Sequence, residues 1–149
     1  LKLWRPDGTL LRQFEATVPL VSVAWHPGGQ EIVASGANGS LWFWQPGGTL
    51  RQTFKAHHTP IWDIKYSPDG QLLASGSTDA NIGLWRADGT PIKTLKGHRA
   101  SVWQVAFSPD SQILATASGD ATVRLWTRDG NLYKTLDAHR AAVWGLTFS

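Results

Sequence analysis

The chain has no cysteine and no methionine. Without thiols there can be no disulfide and no thiolate metal site, while the redox compartment stays open. Charge is sparse, at 17% of 149 residues, and the formal balance of +3 is spread along the chain with no run of one sign. Electrostatics therefore names no tail and no nucleic-acid arm. No apolar run approaches the roughly 18 residues that a membrane span needs, and no secretory pattern opens the chain, so the expected location is the cytoplasm. No segment shows a helical period. Leu1 begins inside a phrase that recurs later, and we expect the chain to be part of a longer protein.

Tryptophan, by contrast, is plentiful. Trp4, Trp44, Trp85 and Trp126 each close a strand-like phrase, at spacings of 40, 41 and 41 residues. The chain thus holds about 3.6 copies of one unit, and self-similarity at this period points to a radial or solenoid array over a single doubly wound or barrel domain. The clearest copies run from Ile61 to Trp85 (IWDIKYSPDGQLLASGSTDANIGLW) and from Val102 to Trp126 (VWQVAFSPDSQILATASGDATVRLW). A degenerate copy runs from Leu20 to Trp44, and a fragment, VWGLTFS, from Val143 to Ser149.

Within a copy, three short runs rich in β-branched and aromatic residues are separated by turn residues such as Ser67-Pro68-Asp69-Gly70 and Ser77-Thr78-Asp79-Ala80. After each closing tryptophan comes Asp7-Gly8, Gly47-Gly48, Asp88-Gly89 or Asp129-Gly130, dipeptides that tolerate positive φ. A fourth strand follows. Four antiparallel strands per copy, with no helix, is the pattern of a propeller blade. The expected fold is all-β: residues 1–14 end one blade, 20–54, 61–95 and 102–136 are three full blades, and 143–149 is the inner strand of the next.

These residues resemble the WD-repeat β-propeller family across the whole chain. The matching elements are Gly97-His98, or the variants Ala56-His57 and Ala138-His139, then the Ser-Pro-Asp-Gly turn, a Ser or Thr, an Asp and the closing Leu-Trp. The family's Asp after that tryptophan is replaced by Arg5, Gln45, Arg86 and Thr127. The regular copies are similar to those of bacterial, including cyanobacterial, multi-repeat proteins, in which a propeller often senses partners for an attached enzyme module.

His57, Ser75 and Asp79 are the side chains of a hydrolytic triad. The same set recurs 41 residues on as His98, Thr116 and Asp120, whereas catalysis needs one asymmetric site, and no GxSxG elbow is present. The expectation is therefore not an enzyme. A polar network is the better reading, and the resemblance implies two structural tetrads: Asp79, His57, Ser75, Trp85 and Asp120, His98, Thr116, Trp126. In the degenerate copy Ala16 replaces the histidine, Ala37-Asn38-Gly39 the aspartate region, and only Ser35 and Trp44 are expected to remain.

Trp62, Trp103 and Trp144 each follow the first apolar residue of an inner strand, with Val21 in the degenerate copy. The resemblance implies that this position lies near the top of the central channel, where peptides and protein loops often bind. Aromatic side chains are frequent interface anchors, so Trp62, Trp103, Trp144, Asp63 and Gln104, with basic Arg99 and Arg140, form the candidate partner surface. Blade-to-blade packing is the competing role, favoured by recurrence of the tryptophan in every well-formed copy. Interleaved Asp63, Asp110, Asp120 and Asp137 disfavour nucleic acid. His57-His58 does not suit a metal, because neighbours on a strand face opposite ways. The expected function is a protein-interaction scaffold or sensor with protein or peptide partners, no membrane, no cofactor and no metal. The alternative is a partial propeller that closes with a second copy.

Overall fold

The computed structural model describes residues 1–137 and 139–149; Ala138, in the third Gly-His-like phrase, lies outside them. Strands β1 (Lys2–Trp4) and β2 (Leu10–Gln13) pair as a two-stranded sheet. Three four-stranded antiparallel sheets follow, each in sequence order. The first blade is β3 (Leu20–Trp25), β4 (Ile32–Gly36), β5 (Ser40–Trp44) and β6 (Leu50–Lys55). The second is β7 (Ile61–Tyr66), β8 (Leu72–Ser77), β9 (Ile82–Arg86) and β10 (Pro91–Leu95). The third is β11 (Val102–Phe107), β12 (Ile113–Ser118), β13 (Val123–Thr127) and β14 (Leu132–Leu136).

The turns follow from their residues. Ser67 Oγ accepts the Leu72 N–H at 2.9 Å and donates to Asp69 at 2.6 Å, while Asp69 also accepts the Gln71 N–H at 3.0 Å. These bonds fold the chain back on itself at Gly70, whose φ of 69° lies in the left-handed region that glycine enters at no steric cost. The third blade repeats the turn with Ser111 at that place, at a φ of 60°.

Blades bury their faces on one another. One core lies between the first and second blades (Val33, Leu41, Phe43 against Ile61, Ile64, Leu73, Trp85), and another between the second and third (Ala74, Ile82, Leu95 against Val102, Val105, Leu114, Trp126). Being covered on both faces, β4 and β8 are buried at every position and lose the alternation of a half-exposed strand. The outermost strands β2 and β14 are exposed throughout. Val143–Ser149, expected as an inner strand, packs Val143 and Leu146 on the third blade yet forms no ladder among the described residues. A strand needs a paired neighbour, and none of the described residues lies beside it in register.

Candidate functional site: tetrads and an aromatic stack

Inner strands β3, β7 and β11 stand side by side. Each has a register shift at its second residue, between Leu20 and Ser22, Ile61 and Asp63, and Val102 and Gln104. The displaced residues are Val21, Trp62 and Trp103. A bulge re-aims the side chain it carries, here toward the end of the sheets that bears the β4–β5-type hairpins, which we call the top.

The top carries a continuous aromatic stack. The ring centroids of Trp62 and Trp103 are 5.2 Å apart and those of Trp103 and Trp144 are 4.7 Å apart, at interplanar angles of 51° and 30°. Trp103 is half-buried between its neighbours, whereas Trp62 is 39% and Trp144 68% exposed. Packing and exposure are thus divided along one row. Trp62 Nε1 donates to Thr78 Oγ1 at 2.7 Å. In the third blade Gly119 stands where Thr78 does, and the buried Trp103 Nε1 has no partner among the described residues. Arg99 and Arg140 are exposed, and the Arg99 N–H donates to Asp120 of the β12–β13 hairpin.

Asp63 and Gln104, read from the sequence as partner-binding, are engaged between blades. Asp63, 7% exposed, accepts Ser22 Oγ–H at 3.1 Å and Lys65 Nζ–H at 2.8 Å on one oxygen, and the Val105 N–H at 3.2 Å on the other. Gln104 Oε1 accepts the Leu146 N–H at 2.6 Å. The series ties each inner strand to the next, using both Asp63 oxygens and the Gln104 Oε1, while the Gln104 Nε2 amide makes no bond among the described residues. Only the periodic offset between Asp63 and Val105 could have hinted at this role.

Both tetrads form. Trp85 Nε1–H donates to Ser75 Oγ at 3.0 Å, Ser75 Oγ–H to His57 Nε2 at 2.8 Å, and His57 Nδ1–H to Asp79 at 3.1 Å. In the third blade the distances are 3.0, 2.8 and 2.9 Å through Trp126, Thr116, His98 and Asp120. Burial pushes both imidazoles below their ordinary pKa against the opposing pull of the carboxylates. Each His–Asp contact is therefore a neutral imidazole donating to a carboxylate, although its geometry is also that of an ion pair. Burial raises Asp120, but the Thr122 hydroxyl, the Arg99 N–H and His98 together outweigh it and hold the carboxyl far below its usual range. Ser75 is fully buried, with its lone pair and proton both used, so it has no path to an external carbonyl.

The degenerate copy differs from the expectation. Ser75 pairs with Gly83 and Thr116 with Arg124, and the matching pair in the first blade is Ala34 with Trp42. The tetrad hydroxyl position is Ala34. Ser35 lies one residue on and donates to the Ile61 carbonyl at 3.1 Å. With Ala16 and Ala34 both small, the Trp42 ring stacks on Trp44 at 5.9 Å and fills the space that the His and Ser hold in the other blades.

A second cluster, at the bottom, was not read from the sequence because its members share no period. Buried Glu31 accepts the Tyr66 hydroxyl at 3.0 Å and pairs with Arg51 Nε at 2.9 Å, joining the first blade to the second. His26 accepts the Gly28 N–H on Nδ1, donates Nε2–H to the Gly70 carbonyl at 3.0 Å and packs edge-on against Tyr66. A cavity of about 320 Å³ lies beside Glu31, Arg51 and Asp88. Burial raises the pKa of Glu31 against the Tyr66 hydrogen bond and the charges of Arg51 and His26, and Asp88 adds to the rise. Burial, then the Glu31 charge and hydrogen bond, raise Tyr66 as well. Every polar group at the centre of this cluster has a partner, so its geometry is that of an inter-blade tie.

Blades of four meandering strands, locked by repeated Asp-His-Ser/Thr-Trp networks and packed face to face, define a β-propeller repeat protein. The profile of the WD domain, G-beta repeat matches residues 8–45, 48–86 and 89–127, most of the chain, which therefore belongs to that family. Each match starts on the outer strand of one blade and ends on the third strand of the next, so the sequence repeat staples successive sheets together. No curated protein matches the chain. Among many similar solved structures, one described as "Structure of U3-55K" has a TM-score of 0.82 at 23% identity, covering 86% of this chain and 42% of that one. Another, "Crystal structure of RRP9 WD40 repeats", has a TM-score of 0.82 at 24% identity, covering 86% and 41%. The chain spans about two fifths of the length of these relatives, and likeness at such identity speaks to the fold alone. WD-repeat domains typically serve as scaffolds for protein–protein interaction.

Proposed function

We propose that the chain is a non-enzymatic scaffold or sensor segment of a larger, cytoplasmic WD-repeat protein, and that it holds a protein or peptide partner on its top face. The observation that carries this reading is the Trp62–Trp103–Trp144 stack. Its central ring is packed, while the outer two present large apolar area at low entropic cost. Arg99 and Arg140, both exposed, would steer an acidic segment. The regularity of the copies is what supports the further reading of a bacterial multi-repeat type.

The test is a peptide-display selection on the immobilised chain, followed by Trp62→Ala and Trp144→Ala. Hot-spot aromatics are worth about 2 kcal/mol or more, roughly a thirtyfold loss of affinity, with little change in melting temperature. Selected peptides that bind both variants as they bind the parent refute the reading.

One observation favours a second reading, closure with another copy. Val23 and Trp25 on β3 are 48% and 44% exposed, and an apolar cleft lies between them and Leu1, Leu3 and Phe14. Concentration-dependent mass in light scattering, abolished by Val23→Lys, would support it; a strictly monomeric chain at high concentration excludes it.

A further inference from the structure

The position facing the tetrad hydroxyl across the ladder is filled differently in each blade: Trp42 in the first, Arg124 in the third and Gly83 in the second. Where Trp42 and Arg124 project side chains, Gly83 has none, and a Cβ there would come within 2.6 Å of Trp85 Nε1 and Ser75 Oγ, so the tetrad packs directly on the glycine. A cavity of about 270 Å³ lies beside it, lined by His57, His58, Asp79, Asn81, Thr94 and Lys96. That volume is just under the roughly 300–1,000 Å³ of drug-sized sites and suits a single side-chain head group.

The walls declare the sign of the occupant. The Lys96 ammonium, the Thr94 hydroxyl and the His58 imidazole have no hydrogen-bond partner among the described residues, and Asn81 Nδ2 uses one of its two protons, on the Asp79 carbonyl. Spare capacity is thus mostly donor capacity. The Asp79 carboxylate is the opposing charge, but it is turned to His57 and to the Asn81 N–H. Lys55 occupies the place of Lys96 in the first blade and donates to the Asn38 carbonyl, so there the ammonium is already used. In the third blade the place of Lys96 is taken by Asp137, and the position of Gly83 by Arg124, whose guanidinium lies against Gly97. The second blade alone combines a lysine that no carbonyl among the described residues holds with no side chain at the ladder position, and its unused groups are mostly donors, which suit an anion.

We propose that the cavity beside Gly83 is an oxyanion pocket that seats one carboxylate or phosphate group carried by a protein partner lying across the top face. The partner part of this inference rests on the scaffold reading above; the anion pocket itself does not.

Inorganic phosphate is the first probe, followed by nuclear magnetic resonance at the His58 ring and the Thr94 and Lys96 amides. Saturable millimolar binding is expected, weakened at least tenfold by Lys96→Ala and unchanged by Lys93→Ala, whose ammonium already holds Asn131 at 2.9 Å. Shifts that fail to saturate, or that persist in Lys96→Ala, overturn the pocket. A neutral peptide and its versions with one glutamate or one phosphoserine then identify the source, the version that gains affinity in a Lys96-dependent way naming it. Phosphate binding with no gain for either charged peptide overturns the assignment to a protein-borne group. The Trp62→Ala/Trp144→Ala double variant separates the two ideas: it should lose peptide and keep phosphate. Phosphate binding without any tryptophan-dependent peptide binding defeats the scaffold reading alone.

Discussion

Removing one imidazole tests whether the tetrads are cooperative structural networks. His98 is 7% and His57 5% exposed, and each makes one bond to a carboxylate and one to a buried hydroxyl. Leaving buried partners unsatisfied costs about 1–3 kcal/mol, and an unfilled ring-sized void adds on the order of 1 kcal/mol or more. The two blades should differ within that range. Without His98, Asp120 still accepts the Arg99 N–H at 2.9 Å and the Thr122 hydroxyl at 2.7 Å. Without His57, the Asp79 side chain retains the Asn81 N–H at 3.0 Å. We therefore expect about 2 kcal/mol for His98→Ala and about 3–4 kcal/mol for His57→Ala. At about 2–4 °C per kcal/mol for a chain of this size, these correspond to melting shifts of roughly 4–8 °C and 6–16 °C. His58→Ala, at an exposed position, should stay within about 0.5 kcal/mol.

The assay is urea and thermal unfolding followed by tryptophan fluorescence. The pH dependence gives an independent reading. Both imidazoles have folded-state pKa values below the ordinary 6.5, so their contribution is fully present above that pH and is lost as pH falls below it through the folded-state value. The parent should lose stability on acidification from pH 7, and each alanine variant should lose less. Equal shifts for His57→Ala, His98→Ala and His58→Ala would refute the network, and so would a His98→Ala protein with the same acid sensitivity as the parent.

Three further outcomes follow from the geometry. Asp63→Ala should destabilise by about 2–4 kcal/mol, since it strands the Ser22 hydroxyl and the Val105 N–H between inner strands; a change in ligand affinity with unaltered unfolding would restore Asp63 to the partner surface. Glu31 has a raised folded-state pKa, so its neutral form is the one the fold prefers: its contribution is present at low pH and is lost as pH rises through the folded-state value. Glu31→Gln should therefore gain on the parent as pH rises from 4 to 8 in a series of urea midpoints, and a constant difference refutes it. Gly119→Thr should supply Trp103 Nε1 with the acceptor that Trp62 finds in Thr78, raising stability by up to about 1 kcal/mol if the 3.1 Å approach of the added Cβ relaxes; a loss of more than about 1 kcal/mol in thermal unfolding shows that it does not.

How far the sequence could be read depended on whether a feature obeys the period. Turn glycines, closing tryptophans and the His–Asp pairs repeat in phase, and the sheets and both tetrads form at those residues because each is set by contacts within one copy. The tetrad hydroxyl of the degenerate copy was misplaced because Ser35 and Ala34 are adjacent, and only ladder pairing tells which one faces Trp42. Asp63 looked like a surface residue for a related reason. A bulge at Trp62 shifts the parity of β7, so the tryptophan is exposed and the aspartate turns between strands, a change that residue-by-residue alternation does not reveal. The Glu31–Arg51–Tyr66 cluster and the Gly83 cavity lay further from view, since both arise from departures between copies. Periodic residues build the frame, because every blade must solve the same packing problem. Residues that break the period are then the place to look for what distinguishes one blade from another, and Gly83, on which Trp85 and Ser75 pack within 2.6 Å of a would-be Cβ, stands where the other blades carry Trp42 and Arg124.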